Sequence, residues 1–193
     1  MNINPRSTRL IRPLVLTLAL AGGPAVALAS AASATATSCT TTTAAWGSLT
    51  KSLSHTTSAP ITNVRAGRNT CFDRMVVDLR GKGAGYTVRY VSQVLSQGQG
   101  AVIPLRGGAK LGVVIKAPTY NINTGTSTYS PANIRELVNV TGFSTFRQIA
   151  SGGSFEGYTT IGLGVRARLP MRAFILDGPG TGSRVVIDVA HHW

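Results

Sequence analysis

The chain has 193 residues, of which 19 are Lys or Arg and only six are Asp or Glu, so its formal net charge is +13. This length allows one ordinary domain plus an appendage. A hydrophobic content of 43% is enough for a core, which excludes wholesale disorder. Six acidic residues and three histidines leave few groups for acid–base or metal chemistry, so composition alone disfavours an enzyme.

The first 36 residues have the pattern of a secretory signal peptide. Arg6, Arg9 and Arg12 precede an apolar run at 14–29, and small-x-small sites follow it. This order predicts cleavage between 29 and 36. A membrane anchor is the alternative, but a spanning helix needs about 20 apolar residues and this run is shorter and interrupted. We therefore expect a secreted protein, extracellular or associated with the cell wall, with no stable transmembrane anchor after processing.

The two cysteines predict one disulfide. Exported proteins form such bonds, so Cys39 and Cys71 are expected to pair. The bond would tie a Thr/Ser-rich leading segment, 37–60, to a domain at 61–193, with Trp46 as the one large anchor of that segment. Free thiols are a weaker alternative. A lipid anchor on Cys39 is an alternative to simple cleavage, and a weak one, because residues 36–38 (ATS) are a poor lead-in and lie well beyond the apolar run.

From position 61 onward apolar residues recur with a period of two, which is typical of strands. In 74–79, for example, Met75, Val77 and Leu79 fall on one face. Glycine-rich turns separate such runs, and the pattern predicts an all-β sandwich or barrel of about seven to eight short strands. The other predicted strands are 86–90, 111–115, 161–165, 172–176 and 184–190, and the predicted turns are 80–85, 97–100, 106–108, 151–153 and 177–182.

Three local features refine this prediction. Gly162 and Gly164 on one side of a strand permit close approach by another layer or a ligand. The polar insert 118–131 is expected to project as a loop, and 131–137 to form a single helical turn.

A short frame occurs twice, with Arg74 four residues before Asp78 and Arg184 four residues before Asp188. On a strand the two charges of each frame point the same way, roughly 13 Å apart. They cannot pair with each other, so each is expected to pair with a neighbouring strand. The repeat suggests two related sheets or halves, and chance is the alternative.

A basic cluster is the best candidate for a binding surface. Arg166, Arg168 and Arg172 surround a predicted turn, and Arg166 and Arg168 are expected to share a strand face. Arg147 and Tyr158 would extend the patch. Guanidinium groups suit carboxylates and phosphates. An edge strand kept charged against aggregation is the alternative.

The sequence offers no convincing catalytic, metal or cofactor site. His191 and His192 are adjacent, so on a strand they point to opposite faces; one is expected inside beside Trp193 and the other in solvent. Glu156 and Asp177 could form a carboxylate pair as in glycoside hydrolysis, but Glu156 is more simply a turn residue beside Gly157. We therefore expect no catalytic residues, no metal and no cofactor.

Several strings, in this order, make the chain resemble actinobacterial secreted proteins with an AMIN-like domain. The likeness covers about 61–193 and extends to Cys39 and to 46–49 (WGSL). The matching strings are 61–67 (ITNVRAG), 71–79 (CFDRMVVDL), 85–91 (GYTVRYV), 143–147 (FSTFR), 153–157 (GSFEG), 162–168 (GLGVRAR) and 184–191 (RVVIDVAH).

The resemblance implies a β-sandwich of two small sheets. Related AMIN domains, found on cell-division amidases and outer-membrane secretion pores, localise their owners by binding peptidoglycan. The chain stays strongly basic after loss of the signal peptide. This charge also favours an anionic extracellular partner. Export makes nucleic acid an improbable one.

These observations favour an exported, non-catalytic binding module. Its expected partner is a cell-wall polymer, peptidoglycan or a teichoic-type anion. The alternative is a secreted protein-interaction or inhibitor module that acts through the 118–131 loop on an extracellular protein. A basic surface that serves solubility alone is the non-functional reading of the charge.

Overall fold

The computed structural model describes Cys39, Thr43 and residues 45–193. The predicted signal peptide at 1–36 lies outside these residues. From position 45 onward the chain contains strands, turns and loops, and no helix. The described residues accordingly contain no helix that could cross a membrane. The strands are β1 (Lys51–Leu53), β2 (Ile61–Arg68), β3 (Phe72–Leu79), β4 (Tyr86–Val91), β5 (Val94–Leu95), β6 (Val102–Ile103), β7 (Ala109–Ile115), β8 (Phe146–Phe155), β9 (Tyr158–Val165), β10 (Met171–Asp177) and β11 (Ser183–Ala190).

Two antiparallel sheets pack face to face. One has five strands in the order β1-β4-β7-β9-β8, the other has four in the order β10-β11-β3-β2, and β5 and β6 form a separate hairpin. The predicted all-β sandwich is confirmed. The eight strands of six or more residues match the predicted number, whereas β1, β5 and β6 are too short to give a periodic signal.

The core lies between the two sheets and is built from their inward rows. Met75 and Val77 of β3 face Leu111 and Val113 of β7, and all four are fully buried members of one hydrophobic cluster. The predicted alternation in β3 is confirmed, because Arg74 and Asp78 lie on the outer face. Branched aliphatic side chains favour this pleated geometry, and their burial supplies most of the driving force for folding.

Two local predictions were wrong. Residues 151–153 do not form a turn between strands: they lie within β8, where a register shift between Ser151 and Ser154 marks a bulge. Glycine at 153, with a φ of +86°, accommodates that bulge. Residues 131–137 form bends and turns without a helix. Within the leading segment, Lys51–Leu53 forms β1 and pairs with β4 at the edge of the five-stranded sheet.

The repeated Arg/Asp frame forms one cross-strand arrangement within a single sheet. β3 and β11 are antiparallel neighbours, with Arg74 opposite Asp188 and Asp78 opposite Arg184. Arg74 Nε donates to Asp188 Oδ1 at 2.7 Å, as the predicted pairing across strands requires. Asp78 instead binds Arg65 of β2. The suggestion of two related sheets was wrong, because antiparallel pairing of the two frames places both in the four-stranded sheet.

A buried carboxylate joins the two sheets at one end of the sandwich. Asp73 at the start of β3 is fully buried. Its Oδ2 accepts hydrogen bonds from the backbone N–H groups of Thr145, at 2.6 Å, and Phe146, at 2.9 Å. Its Oδ1 lies 3.1 Å from Nε2 of His191. Because β8 begins at Phe146, this carboxylate fixes the start of β8 against the start of β3.

The predicted disulfide is present between Cys39 and Cys71, whose Cα atoms are 5.1 Å apart. Cys71 immediately precedes β3, the second long strand of the domain. The alternative of a lipid anchor on Cys39 conflicts with this bond, because its sulfur is already used. The bond holds the leading segment beside Phe72, against which Trp46 packs edge-on with ring centres 5.5 Å apart.

Replacing Asp73 with alanine should strongly destabilise the domain. The change leaves two buried N–H donors without an acceptor, and we expect a loss of about 3 kcal/mol in the free energy of unfolding, measured by urea denaturation. Asp177→Ala is the matched control, since Asp177 is exposed and paired only with exposed Lys82; it should cost under about 0.5 kcal/mol. Equal effects of the two variants would contradict the role given to Asp73.

Removing the disulfide should destabilise the fold through the unfolded chain. The sequence separation of 32 residues corresponds to about 3–4 kcal/mol in the chain-entropy model. We expect the Cys39→Ala/Cys71→Ala variant to lose stability of this order in urea denaturation. Added reductant should lower the stability of the parent protein similarly and leave the variant unchanged. If reductant also destabilised the variant, its effect on the parent protein could not be assigned to the bond between Cys39 and Cys71.

Candidate functional site

Six arginines lie at the end of the sandwich where Asp73 joins the sheets. Here β2 and β9 end, while β3, β8 and β10 begin. Asp73 and Asp188, the acids on the strands of this end, are fully buried and already bonded. The surface of this end therefore presents cationic groups. We call it the basic end, and its members are Arg68, Arg74, Arg147, Arg166, Arg168 and Arg172.

Four of the five residues predicted for binding belong to the basic end, but they do not form one patch. β9 ends at Val165, so Arg166 and Arg168 lie in the bends between β9 and β10, and the expectation that they share a strand face was wrong. Arg166 donates to the backbone carbonyl of His191. Arg168 donates to Ser48 Oγ at 3.1 Å and lies over the Tyr90 ring, 5.2 Å from its centre.

Arg172 occupies a different position, on the outer face of the four-stranded sheet. Its guanidinium carbon lies 4.2 Å from the ring centre of Trp46 and 5.1 Å from that of Phe174. Phe72 also contacts Arg172 and the neighbouring Arg74. We call this surface the arginine–aromatic face, made of Trp46, Phe72, Arg74, Arg172 and Phe174 around Asp188.

Asp188 organises the charges of the arginine–aromatic face. It accepts from Arg74 through both carboxylate oxygens and from Arg172 Nε at 2.8 Å. The hydrogen bond to Asp188 raises the pKa of the Arg74 guanidinium, against the opposing effect of its partial burial. Two cations therefore share one buried anion. The face keeps a net positive charge beside half-buried aromatic rings, in a geometry fixed by hydrogen bonds.

Arg147 lies in a cleft at the opposite edge of this end. The cleft has a volume of about 510 Å³, and we call it the Arg147 cleft. Arg106 contributes to it by donating to Glu136 and to the carbonyl of Arg147. The residues that line it are Arg106, Glu136, Asn139, Val140, Thr141, Gly142, Phe143, Phe146 and Arg147.

The paired glycines of β9 position Arg106. A Cβ atom at Gly164 would collide with the carbonyl oxygen of Arg106, and one at Gly162 would lie 2.9 Å from Leu105. The segment before β7 therefore packs directly on the outer side of β9. This confirms the prediction that these glycines permit close approach, and it identifies the approaching layer as the chain itself.

Tyr158 does not belong to the basic end. It lies at the tip of the β8–β9 hairpin, opposite Phe155, whereas Phe146 and Val165 pair at the other end of the same hairpin. Its surroundings include the 118–131 loop, because the Tyr120 hydroxyl accepts a hydrogen bond from the Gly157 N–H. This loop is partly ordered by a bridge between Tyr120 and Ser127.

The residues considered for catalysis take part in turns, ion pairs and buried hydrogen bonds. His191 is buried against Asp73, while His192 is exposed, as predicted. Glu156 is a turn residue, as expected, and Asp177 pairs with Lys82. Within the described part of the chain, no group of three or more His, Cys, Asp or Glu side chains could hold a metal ion.

Sequence reasoning missed most partners of these arginines. Phe174 follows Arg172 by two positions and so shares its face, a signal that was available. Arg74 and Asp188 were expected to pair with unspecified neighbours, and only the order of the strands identified them as each other's partners. Arg106 and Glu136 come from other segments and gave no signal, and nothing in the sequence linked Trp46 to Arg172.

One sequence family matches this chain. The model described as the AMIN-like domain matches residues 59–191, which confirms the predicted resemblance over the domain and does not extend to Cys39 or 46–49. No curated protein and no solved structure matches the chain.

Stability should fall at high pH partly because of Tyr90. Burial raises the pKa of this phenol, although its hydrogen bond to Leu169 and the charge of Arg168 oppose the shift. A folded-state pKa above the unfolded value of about 10 gives stability that is complete below that value and lost as pH rises through the folded-state pKa. Tyr86 and Tyr129 have pKa values raised by burial as well.

Tyr90→Phe should therefore reduce the loss in the free energy of unfolding at alkaline pH, as measured by urea denaturation between pH 8 and 11. It should also cost about 1 kcal/mol at neutral pH, since the Leu169 N–H loses its acceptor. Tyr158→Phe, at the surface, is the control and should leave the profile unchanged. An unchanged profile for Tyr90→Phe would contradict the prediction.

Proposed function

Because the chain belongs to the AMIN-like domain family, we propose that it is an exported, non-catalytic module that adheres to cell-wall polymer. The polymer is peptidoglycan or an anionic polymer associated with it. The family is in general one of non-catalytic binding modules of the peptidoglycan-binding type. The basic composition of the chain and its predicted signal peptide fit the same proposal.

The observation that carries the proposal is the stacking of Arg172 among Trp46, Phe72 and Phe174. Aromatic rings offer flat apolar surface to the faces of sugars. Arginine beside them offers paired donors to carboxylates and phosphates. Glycan strands with acidic substituents combine both chemistries. Arg168, held on Ser48 at 3.1 Å, extends the cationic surface past Trp46.

The opposite end of the sandwich carries the second candidate function. Ile122 at the tip of the 118–131 loop and Phe155 at the hairpin tip are both about half exposed. Exposed apolar side chains on an anchored loop suit a protein partner. This alternative predicts no retention on cell-wall polymer.

The test is retention of the purified protein on sedimented peptidoglycan, with and without its teichoic polymer. We expect Arg168→Gln/Arg172→Gln to reduce retention about tenfold, because each loses charge-assisted hydrogen bonds. The matched control is Arg80→Gln/Arg89→Gln, which removes the same charge from two exposed arginines outside the arginine–aromatic face. Retention should also weaken with salt.

Equal losses in the two double variants would reject the arginine–aromatic face as a specific site. Absence of retention by the parent protein on either polymer would reject the proposal itself. If the parent is not retained and Ile122→Ser abolishes capture of an extracellular protein, the second candidate takes its place. Thermal denaturation of each variant verifies that the domain remains folded.

A further inference from the structure

The Arg147 cleft has the size of a small-ligand site and a lining rich in polar and charged groups. Its volume of about 510 Å³ lies within the range of roughly 300–1,000 Å³ that is usual for such sites. Its lining combines charged groups with Phe143, whose ring stacks on the buried ring of Phe146 with centres 6.1 Å apart. It is separate from the arginine–aromatic face, since no residue is shared by the two.

Within the part of the chain that the structure describes, backbone carbonyls hold the guanidinium of Arg147 in place. Nη1 donates to Phe143 at 3.0 Å and to Phe146 at 2.9 Å, and Nη2 donates to Ser144 at 3.3 Å. A guanidinium has five N–H donors. Nε–H takes part in none of these bonds, and Nη2 carries a second proton. Among the described residues neither has a hydrogen-bond acceptor, and Arg147 has no carboxylate partner.

Nε–H and the adjacent Nη2 are the donors with which Arg147 can meet the two oxygens of a carboxylate. Paired N–H donors on one edge bind a carboxylate in a bidentate manner. The three carbonyl contacts already fix the orientation of the group, so binding costs little further side-chain ordering. A lysine at this position would present a rotating point charge and could not reproduce this geometry.

The charges around the cleft favour a monoanion. Arg106 is paired with Glu136, whereas no acidic side chain among the described residues pairs with Arg147. Arg68 lies over Phe143, 6.0 Å from the ring centre, and donates to the carbonyl of Gly142 at the rim. The positive excess attracts an anion, and Glu136 disfavours a doubly charged one.

We infer that the Arg147 cleft binds the carboxylate group of a small ligand, held bidentately by Arg147 with the ring of Phe143 as an apolar wall. This carboxylate is the free terminus of a peptide or the acid group of a sugar. The inference does not depend on polymer binding at the arginine–aromatic face.

The test is titration of the purified protein, followed by amide NMR. The probes are N-acetyl-alanyl-alanine, its C-terminal amide, glucuronic acid and inorganic phosphate. We expect shifts at Thr141, Phe143 and Arg147. The free carboxylate of the dipeptide or the sugar acid should bind about tenfold or more tightly than the amide. The tighter of the two acids identifies the source of the carboxylate.

Three variants test the geometry. Arg147→Lys keeps the charge and loses the paired edge, so affinity should fall about tenfold. Glu136→Gln removes the competing anion and should strengthen binding several-fold, a gain that a damaged fold could not give. Arg80→Gln changes an exposed arginine outside both surfaces and should leave carboxylate binding unchanged. Thermal denaturation of Arg147→Lys verifies its folding.

Equal binding of the dipeptide acid and its amide would overturn the inference, as would tighter binding of phosphate than of either carboxylate. Weaker binding in Glu136→Gln would also overturn it. Failure of polymer retention leaves these titrations unaffected, so the two proposals fail separately.

Discussion

The hydrogen-bonded carboxylate of Asp73 is the interaction on which the functional end of this protein depends. A strand of one sheet provides the acceptor, and the donors are the first residue of a strand in the other sheet and the residue before it. Because His191 closes the remaining side, the group has no exposure to water. Buried polar groups are costly unless they are satisfied. This requirement fixes how the two sheets meet, and with it the positions of the arginines that their strand ends carry.

A second buried acid sets the character of the arginine–aromatic face. Asp188 holds Arg74 and Arg172 in fixed orientations on the outer side of the four-stranded sheet. Trp46 reaches this face because the leading segment is attached through the disulfide between Cys39 and Cys71. The face thus combines strand residues with a ring supplied by a covalently tied segment. Rigid donors beside aromatic rings are better prepared for a ligand than flexible surface arginines.

The two ends of the sandwich differ in chemistry. The basic end presents guanidinium groups held by backbone and carboxylate oxygens, and it contains both the arginine–aromatic face and the Arg147 cleft. The other end presents the tip of the β8–β9 hairpin and the 118–131 loop, with Phe155 and Ile122 exposed. Tyr158 belongs to that end because strand β9 runs the full length of the sheet, about 3.3 Å per residue. Tyr158 and Arg147 lie far apart because they are at opposite ends of the β8–β9 hairpin. The periodicity of the sequence shows which residues share a face, but not at which end of the sheet they lie.

The sequence by itself determined the strand pattern, the disulfide and the basic character, because alternation, cysteine pairing and charge are local or compositional properties. It determined the inward row of Met75, Val77 and Leu79 for the same reason. Only the tertiary structure decided that Arg74 meets Asp188, that Arg172 lies against Trp46, and that Arg106 reaches Glu136 beside Arg147. These pairs are brought together by strand order and by loops that cross between sheets. Many strand orders satisfy one alternating pattern, so the choice among them rests on packing and on the satisfaction of buried polar groups.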